Sequence, residues 1–345
     1  MSTFTGSQSS PPPDALRIQV LTSVKAVQGL FSSWLQLWVR SGQTPFQSPM
    51  WLIPWARFFT AENLLIATLV RHEELVAVAP LYSWRQHSQI NLLLLGNGIS
   101  DYLDICVHPG FRREVALKFS GWLNSLEHAK SCEFHQLPAG SVLRHLPEGQ
   151  RIESAGEVCP VLELGGKSFD SYAPAEQLEK LHYYRRRARK LGTVIFQKAT
   201  GSDAEQLLQE LFRLHHIRWT RKGESGVLQD DLTRQFHLQA ALQFAETGFL
   251  RLYALKLNGQ VIAVLYALAD SQATYFYLSG FDPEFEKLSP GTLLIGHAIE
   301  EALSERHRTF NFLRGREPYK YRWGALDQET FSCTYRREQD CRAPS

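Results

Sequence analysis

One stretch in the first half of this 345-residue chain returns in the second half without a gap. Residues 64–80 read LLIATLVRHEELVAVAP and residues 250–266 read LRLYALKLNGQVIAVLY. A single shift, 263 − 77 = 186, pairs Ala77 with Ala263, Leu75 with Val261 and Val78 with Val264. Each stretch is two apolar strands around a polar turn, and Asn258-Gly259 suits a tight type I′ hairpin. Hairpins share a pattern, so the neighbours must say whether a larger unit repeats. Downstream of the hairpins, DYLDICVHPGF (101–111) and TYFYLSGFDPEF (274–285) both read as a strand with a turn at its end. An amphipathic helix follows each, over 112–128 and 291–305, and then a short apolar strand, at 133–137 and 310–313. A helix carrying a tryptophan precedes each hairpin, at 31–39 and 207–220. The order strand, helix, hairpin, strand, helix, strand therefore occurs twice. Crossovers of this kind favour parallel neighbours, so each unit is expected to be α/β, a mixed sheet flanked by helices.

The length suits two domains of roughly 150 residues. Gly156, Pro160, Gly165 and Gly166 put the seam within 151–168. The expected division is a disordered tail over 1–14, a first unit over 15–155 and a second over 156–340.

Charge and cysteine content narrow the setting. A net charge of +2 exerts no long-range pull on DNA or on a membrane. The five cysteines form no C-x-x-C pair, which fits neither a zinc site nor a disulfide framework; free thiols in a reducing, cytoplasmic setting fit better. MSTFTGSQSSPPP lacks the basic start and apolar run of a secretory leader. The longest apolar run, Leu92–Leu95, is too short to span a bilayer.

Four segments carry candidate chemistry. Ser289-Pro290-Gly291-Thr292 opens a helix whose apolar stripe runs Leu294, Ile295, Ala298, Ile299, Ala302, Leu303. Ser289 suits an N-cap and Pro290 the first helical position. The N–H groups of Gly291, Thr292 and Leu293 would then face a phosphate, helped by the helix dipole. The first unit has Arg112-Arg113-Glu114 at the matching place, so the site belongs to the second unit. Taken alone, the segment equally describes a plain helix start. Second, Arg314-Gly315-Arg316-Glu317-Pro318-Tyr319-Lys320-Tyr321-Arg322-Trp323 follows a strand, where crevices of α/β sheets bind ligands. An exposed charged turn over packed aromatics is the other reading. Third, residues 179–192 carry Lys180, Arg185, Arg186, Arg187, Arg189 and Lys190, either a phosphate contact or a solvated face. Fourth, His215 and Arg218 share one face of LHHIRW, which Trp219 closes. No metal-ligand spacing is present.

Together these strings make the second half resemble the GNAT acyltransferase superfamily. It is most similar to the CelD-like branch named for cellulose biosynthesis, through the basic helix (180–190), LHHIRW, GFDPEF…LSPGTLL (280–294) and FNFLRGREPYKYRWG (310–324). That branch usually has aspartates where this chain has Asn311 and Arg316. The first half resembles a degenerate copy, giving two tandem GNAT-like domains. The resemblance implies acetyl-CoA as co-substrate and no metal. Its pyrophosphate would lie on Ser289, Gly291, Thr292 and Leu293, and its pantetheine would pass Tyr277 and Ser279, between splayed strands. It implies Asp282 or Glu317 as general base, Tyr319 as acid and Lys320 as electrostatic helper. Arg186, His215, Arg218, Trp219, Arg314 and Trp323 would contact the acceptor, a small molecule, saccharide or envelope precursor. A fainter likeness, through Tyr319-Lys320-Tyr321-Arg322-Trp323-Gly324, is to Fem-type peptidyl transferases, which implies aminoacyl-tRNA as an alternative donor. A non-catalytic module in a polysaccharide-biosynthesis complex is the third reading.

Overall fold

The computed structural model describes residues 15–336 except 88, 148, 224 and 225. The expected tail over 1–14 lies outside the described residues, as does Cys341. The first unit runs β1 (Arg17–Leu21), α1 (Val24–Gln28), α2 (Phe31–Ser41), α3 (Pro49–Phe59), β2 (Leu64–Arg71), β3 (Glu74–Gln86), β4 (Gln89–Leu94), β5 (Cys106–Val107), α4 (Arg112–Asn124), β6 (Ala129–Pro138) and β7 (Gln150–Glu163). The second runs α5 (Ala175–Leu191), β8 (Val194–Lys198), α6 (Ala204–Lys222), α7 (Asp231–Glu246), β9 (Leu250–Leu257), β10 (Gln260–Ala269), β11 (Ala273–Phe281), α8 (Pro290–Ser304), β12 (Thr309–Asn311), α9 (Pro318–Arg322) and β13 (Leu326–Arg336).

The repeat in the sequence is a repeat of topology. All strands but β5 lie in one path, β1-β2-β3-β4-β6-β13-β7-β12-β11-β10-β9-β8. Read inward from either edge, four antiparallel strands come first and then a parallel pair, β4 with β6 and β11 with β12. The two hairpins that align in sequence are β2–β3 and β9–β10. At the centre the units exchange their last strands. The first unit's β7 pairs with β12, and the second unit's β13 pairs with β6.

Helices cover both faces. Trp34, Trp38, Trp51, Phe236 and Phe244, from α2, α3 and α7, share one core with α6 and so join the two units. On the opposite face α4 covers the first unit, and α5 and α8 cover the second. The expected stripe on α8 is buried at Leu294, Ile295, Ala298, Ile299 and Ala302. Each large apolar side chain buried this way stabilises the fold by about 1.5–3 kcal/mol.

Two expectations need correction. The run over 101–111 is not the counterpart of β11; that place is taken by β4, and only Cys106–Val107 pairs, with β3. Its backbone is held instead by other groups: Leu103 N–H by the Gln136 carbonyl, Ile105 N–H by the Asp104 carboxylate, and Val107 N–H by the Gln43 side chain. Residues 101–107 are buried, and the apolar pattern read as a strand is that of a packed loop. The second concerns the seam. The segment 151–163, rich in turn residues, is part of β7 at the centre of the sheet. A boundary at 155/156 would fall inside that strand, and the chain leaves the sheet only after Glu163.

Candidate active site

β11 and β12 are hydrogen-bonded from Ala273↔Thr309 to Tyr275↔Asn311 and no further. β11 bulges there: Tyr266 faces Leu278 and Ala267 faces Phe276, so Tyr277 is the extra residue. A bulge bends its strand and re-aims the side chains around it. Past Asn311 the other chain turns to β7, with Phe312 N–H bonded to the Pro160 carbonyl and Gly315 N–H to that of Val158. The strands therefore splay, and the gap opens into two chambers of about 620 and about 740 Å³. Arg218, Phe276, Ser279 and Tyr319 line both and form the waist between them.

The first chamber is lined by the start of α8 through Ser289, Gly291 and Thr292. Ser289 holds the N-cap position of α8 but makes no side-chain cap bond. It sits in the left-handed region (φ 51°, ψ 57°) after a 3-10 turn over Pro283–Leu288, and its hydroxyl lies 2.9 Å from that of Thr292. Leu293 N–H is not free, since it bonds the Ser289 carbonyl at 3.2 Å. The first-turn N–H groups of Gly291 and Thr292 have no place in the helical ladder. A Cβ on Gly291 would meet nothing within 4 Å, so its backbone stands open to the chamber. Lys180, Arg218 and Arg322 line the same space against a single acid, Glu286. Trp323 forms a wall, buried and stacked on Tyr172.

The second chamber gathers Tyr277, His215, Trp219, Arg314, Glu317 and Lys320. Burial first, then Arg218 and His216, push the His215 imidazole down to about 4, so it is neutral near pH 7. Lys320 is buried, and its ammonium donates to the carbonyls of Leu313 (3.1 Å), Arg314 and Gly315 (3.2 Å) and pairs with Glu317 at 2.9 Å. It clamps the turn that follows β12. Burial, and then the charge of Glu317, raise the Tyr319 phenol above its ordinary range. Tyr319 also packs against Phe276 and Phe312.

Not every expected residue reaches the gap. Asp282 caps the 3-10 turn, accepting from Glu284 N–H at 3.0 Å, and does not line either chamber. Arg186 is exposed on α5 and lines neither chamber, though the surface hollow it borders shares Lys180 and Tyr184 with the first. Within the same basic stretch, Arg185 is spent on Glu300 at 2.9 Å and Lys180 alone lines the gap. Asn311 is buried, donating to the Tyr102 hydroxyl at 3.0 Å and accepting from Leu313 N–H; Arg316 pairs with Asp327 at 3.0 Å. Sequence reasoning missed Gly98, Ile99 and Asp101, which line the second chamber from the first unit, and Thr233 and His237 of α7. None carries a motif, and of these residues only Asp101 falls in the 101–111 run read as a strand. Among the described residues no group of His, Cys, Asp or Glu is placed to hold a metal ion. None of their helices is long and apolar enough to cross a membrane.

Comparison with known proteins bears on the fold. Residues 175–321 match the family model of an acetyltransferase (GNAT) domain. No curated protein matches the chain in sequence. Among solved structures, FemX superposes with a TM-score of 0.66 at 11% identity, covering 94% of this chain and 98% of that one. The C-terminal domain of a putative lysylphosphatidylglycerol synthetase from Agrobacterium fabrum gives 0.59 at 12% identity, covering 89% and 92%. L-PGS from Bacillus licheniformis gives 0.59 at 10% identity, covering 92% and 93%. At such identities the likeness is one of fold. The fold is a GNAT-like mixed α/β sheet whose topology occurs twice, and residues 175–321 are similar to an acetyltransferase (GNAT) domain.

Proposed function

We propose that the protein transfers an acyl group from acyl-CoA, acetyl-CoA foremost, to an amine or hydroxyl of a small-molecule or saccharide acceptor. The observation that carries this reading is the one gap between β11 and β12. It begins at open helix-start amides with three cations beside them and ends at a chamber of polar and aromatic side chains. The residues at its first end fit a pyrophosphate: Gly291 is open, its amide and that of Thr292 are unspent, and Lys180 and Arg322 supply charge. The edge of β11 past Tyr275 has no strand beside it, so its outward amides can hold a carbonyl oxygen. Acyl-CoA, when bound, supplies the thioester carbonyl. Tyr319 keeps its proton at neutral pH and can give it to a leaving thiolate. Glu317 is the base in this scheme, because Asp282 is committed to its cap. Lys320 holds the backbone that positions them. The CelD-like placement stays part of this proposal and rests on the 310–324 string.

Thermal unfolding with acetyl-CoA, and separately with CoA, tests it. Ligand at a hundred times its Kd stabilises by about 2.7 kcal/mol. Gly291→Asp should abolish the shift while leaving the unliganded Tm unchanged. No shift of the natural sequence at millimolar ligand would overturn the reading.

The Fem-type resemblance of Tyr319–Gly324, together with the whole-chain likeness of fold to FemX, supports a second reading, an aminoacyl-tRNA donor. The exposed Arg186, Arg189 and Lys190 of α5 would then meet the nucleic acid. Binding of tRNA that weakens steeply with salt, without any response to CoA, would select it.

A further inference from the structure

The loop between β4 and β5 belongs to the first unit by sequence, yet it grips both lips of the second unit's gap. The Ile99 carbonyl accepts from the Tyr277 hydroxyl at 2.9 Å. The Asp101 carboxylate accepts from Arg314 Nε. The Tyr102 hydroxyl accepts from Asn311 Nδ2 at 3.0 Å. Tyr277 is the bulged residue of β11, Asn311 is the last residue of β12, and Arg314 follows it. One short run of chain thus bonds to both strands at the point where they part.

The grip is buried and anchored. Asp101 is 8% exposed, Tyr102 3% and Asn311 5%. Polar groups buried to this degree are costly to leave unpaired, so the loop and the strands hold one another to one geometry. Behind it, the loop is tied to the first unit's core. The Ser100 hydroxyl accepts from Trp51 Nε1 at 2.8 Å, the Tyr102 carbonyl from Gln47 Nε2 at 2.9 Å, and the Gln136 carbonyl from Leu103 N–H at 3.0 Å. The body of that unit is in this way connected to the mouth of the other's gap.

We propose that Asp101 and Tyr102 are positioning residues: with Ile99 they form a wedge that fixes the separation of β11 and β12, so the acyl-donor channel is incomplete without the first unit. The proposal rests on the acyl-CoA reading of the gap. Asp101 acts through Arg314, whose guanidinium also lines the second chamber, and Tyr102 acts through Asn311. The first unit is thereby part of the second unit's site.

The test uses the full chain with Tyr102→Phe, which keeps the ring and removes the hydroxyl, and with Asp101→Asn. Hydrogen exchange is followed in 276–281 and 311–315, and acetyl-CoA affinity is measured by calorimetry. Both variants should exchange tenfold faster or more in those two segments, with β9 and β10 unchanged, and Kd should rise at least tenfold. Arg314→Gln added to Asp101→Asn should weaken binding no further than the worse single variant. A merely structural role would lower Tm and leave local exchange and Kd as they were, and that result would overturn the wedge. If Asp101→Asn fails to fold, Tyr102→Phe decides alone. If the natural sequence binds no acetyl-CoA, the donor reading fails, and the exchange measurements still decide the wedge.

Discussion

Lys320 and Glu317 stand three residues apart and form a 2.9 Å ion pair, yet only 3% of the lysine side chain is exposed against 55% of the glutamate. The two ends of one salt bridge therefore do different work. Lys320→Met strips the donor from the carbonyls of Leu313, Arg314 and Gly315 and should cost about 1–3 kcal/mol of stability. Glu317→Gln loses only a half-exposed pairing and should cost less than about 1 kcal/mol. Turnover should fall in both. Urea denaturation beside an acyl-transfer assay separates them; equal losses of stability would contradict the clamp.

Gly280 brings β11 against α6. A Cβ there would lie 2.8 Å from the backbone nitrogen of His215 and 3.0 Å from Leu214 Cβ. Backbone cannot step aside as a side-chain tip can, so Gly280→Ala should destabilise by about 1–3 kcal/mol. It should also shift His215 in the second chamber and Arg218 at the waist, lowering turnover by more than the loss of folded protein explains. Denaturation and kinetics on the same preparation check both parts.

Burial pushes the His237 imidazole down to about 3 and that of His215 to about 4. An unfolded histidine takes its proton near pH 6.5, so below that pH the unfolded chain holds more protons and stability falls toward pH 4. Asp104 runs the other way. Burial lifts its carboxyl to about 6, so its contribution is present at about pH 4 and is lost as pH rises through 6. His237→Phe puts an apolar ring among Trp51, Phe236, Tyr266 and Tyr277 and should flatten the acid limb by up to about 1.4 kcal/mol per pH unit. Asp104→Asn should steepen it. Urea titrations from pH 4 to 8 measure the slopes.

Asn311→Asp restores the aspartate of the resembled branch. Asn311 lines neither chamber, and its two side-chain bonds are structural. Turnover should therefore not rise, and stability at pH 7 should fall by about 1–3 kcal/mol, the penalty for a buried charge in place of an amide donor. A gain in rate would return position 311 to the chemistry.

What could be read from the sequence was what repeats or what has local periodicity. The shift between Ala77 and Ala263 exposed the doubled unit, and the stripe from Leu294 to Ala302 located α8. The Ser289–Thr292 segment was found, but its geometry was not, because a 3-10 turn before Ser289 replaces the extended cap a serine usually makes. The resemblance implied Asp282 as a base, yet its carboxylate caps its own turn, accepting from the N–H two residues on, as aspartates that open turns commonly do. Asp101, Tyr102 and His237 come to the site through contacts across the whole chain, and such contacts leave no mark in spacing.

The exchange of β7 and β13 also bears on how the chain is completed during synthesis. The inner edge of β6 is filled by β13, whose last described residue is Arg336. During synthesis the first unit keeps an open edge at β6 until β13 has been made. An edge of that kind invites association with other nascent chains. Neither half can be released as a finished body, and a stop codon shortly before Leu326 would leave both β6 and β7 without their shared neighbour.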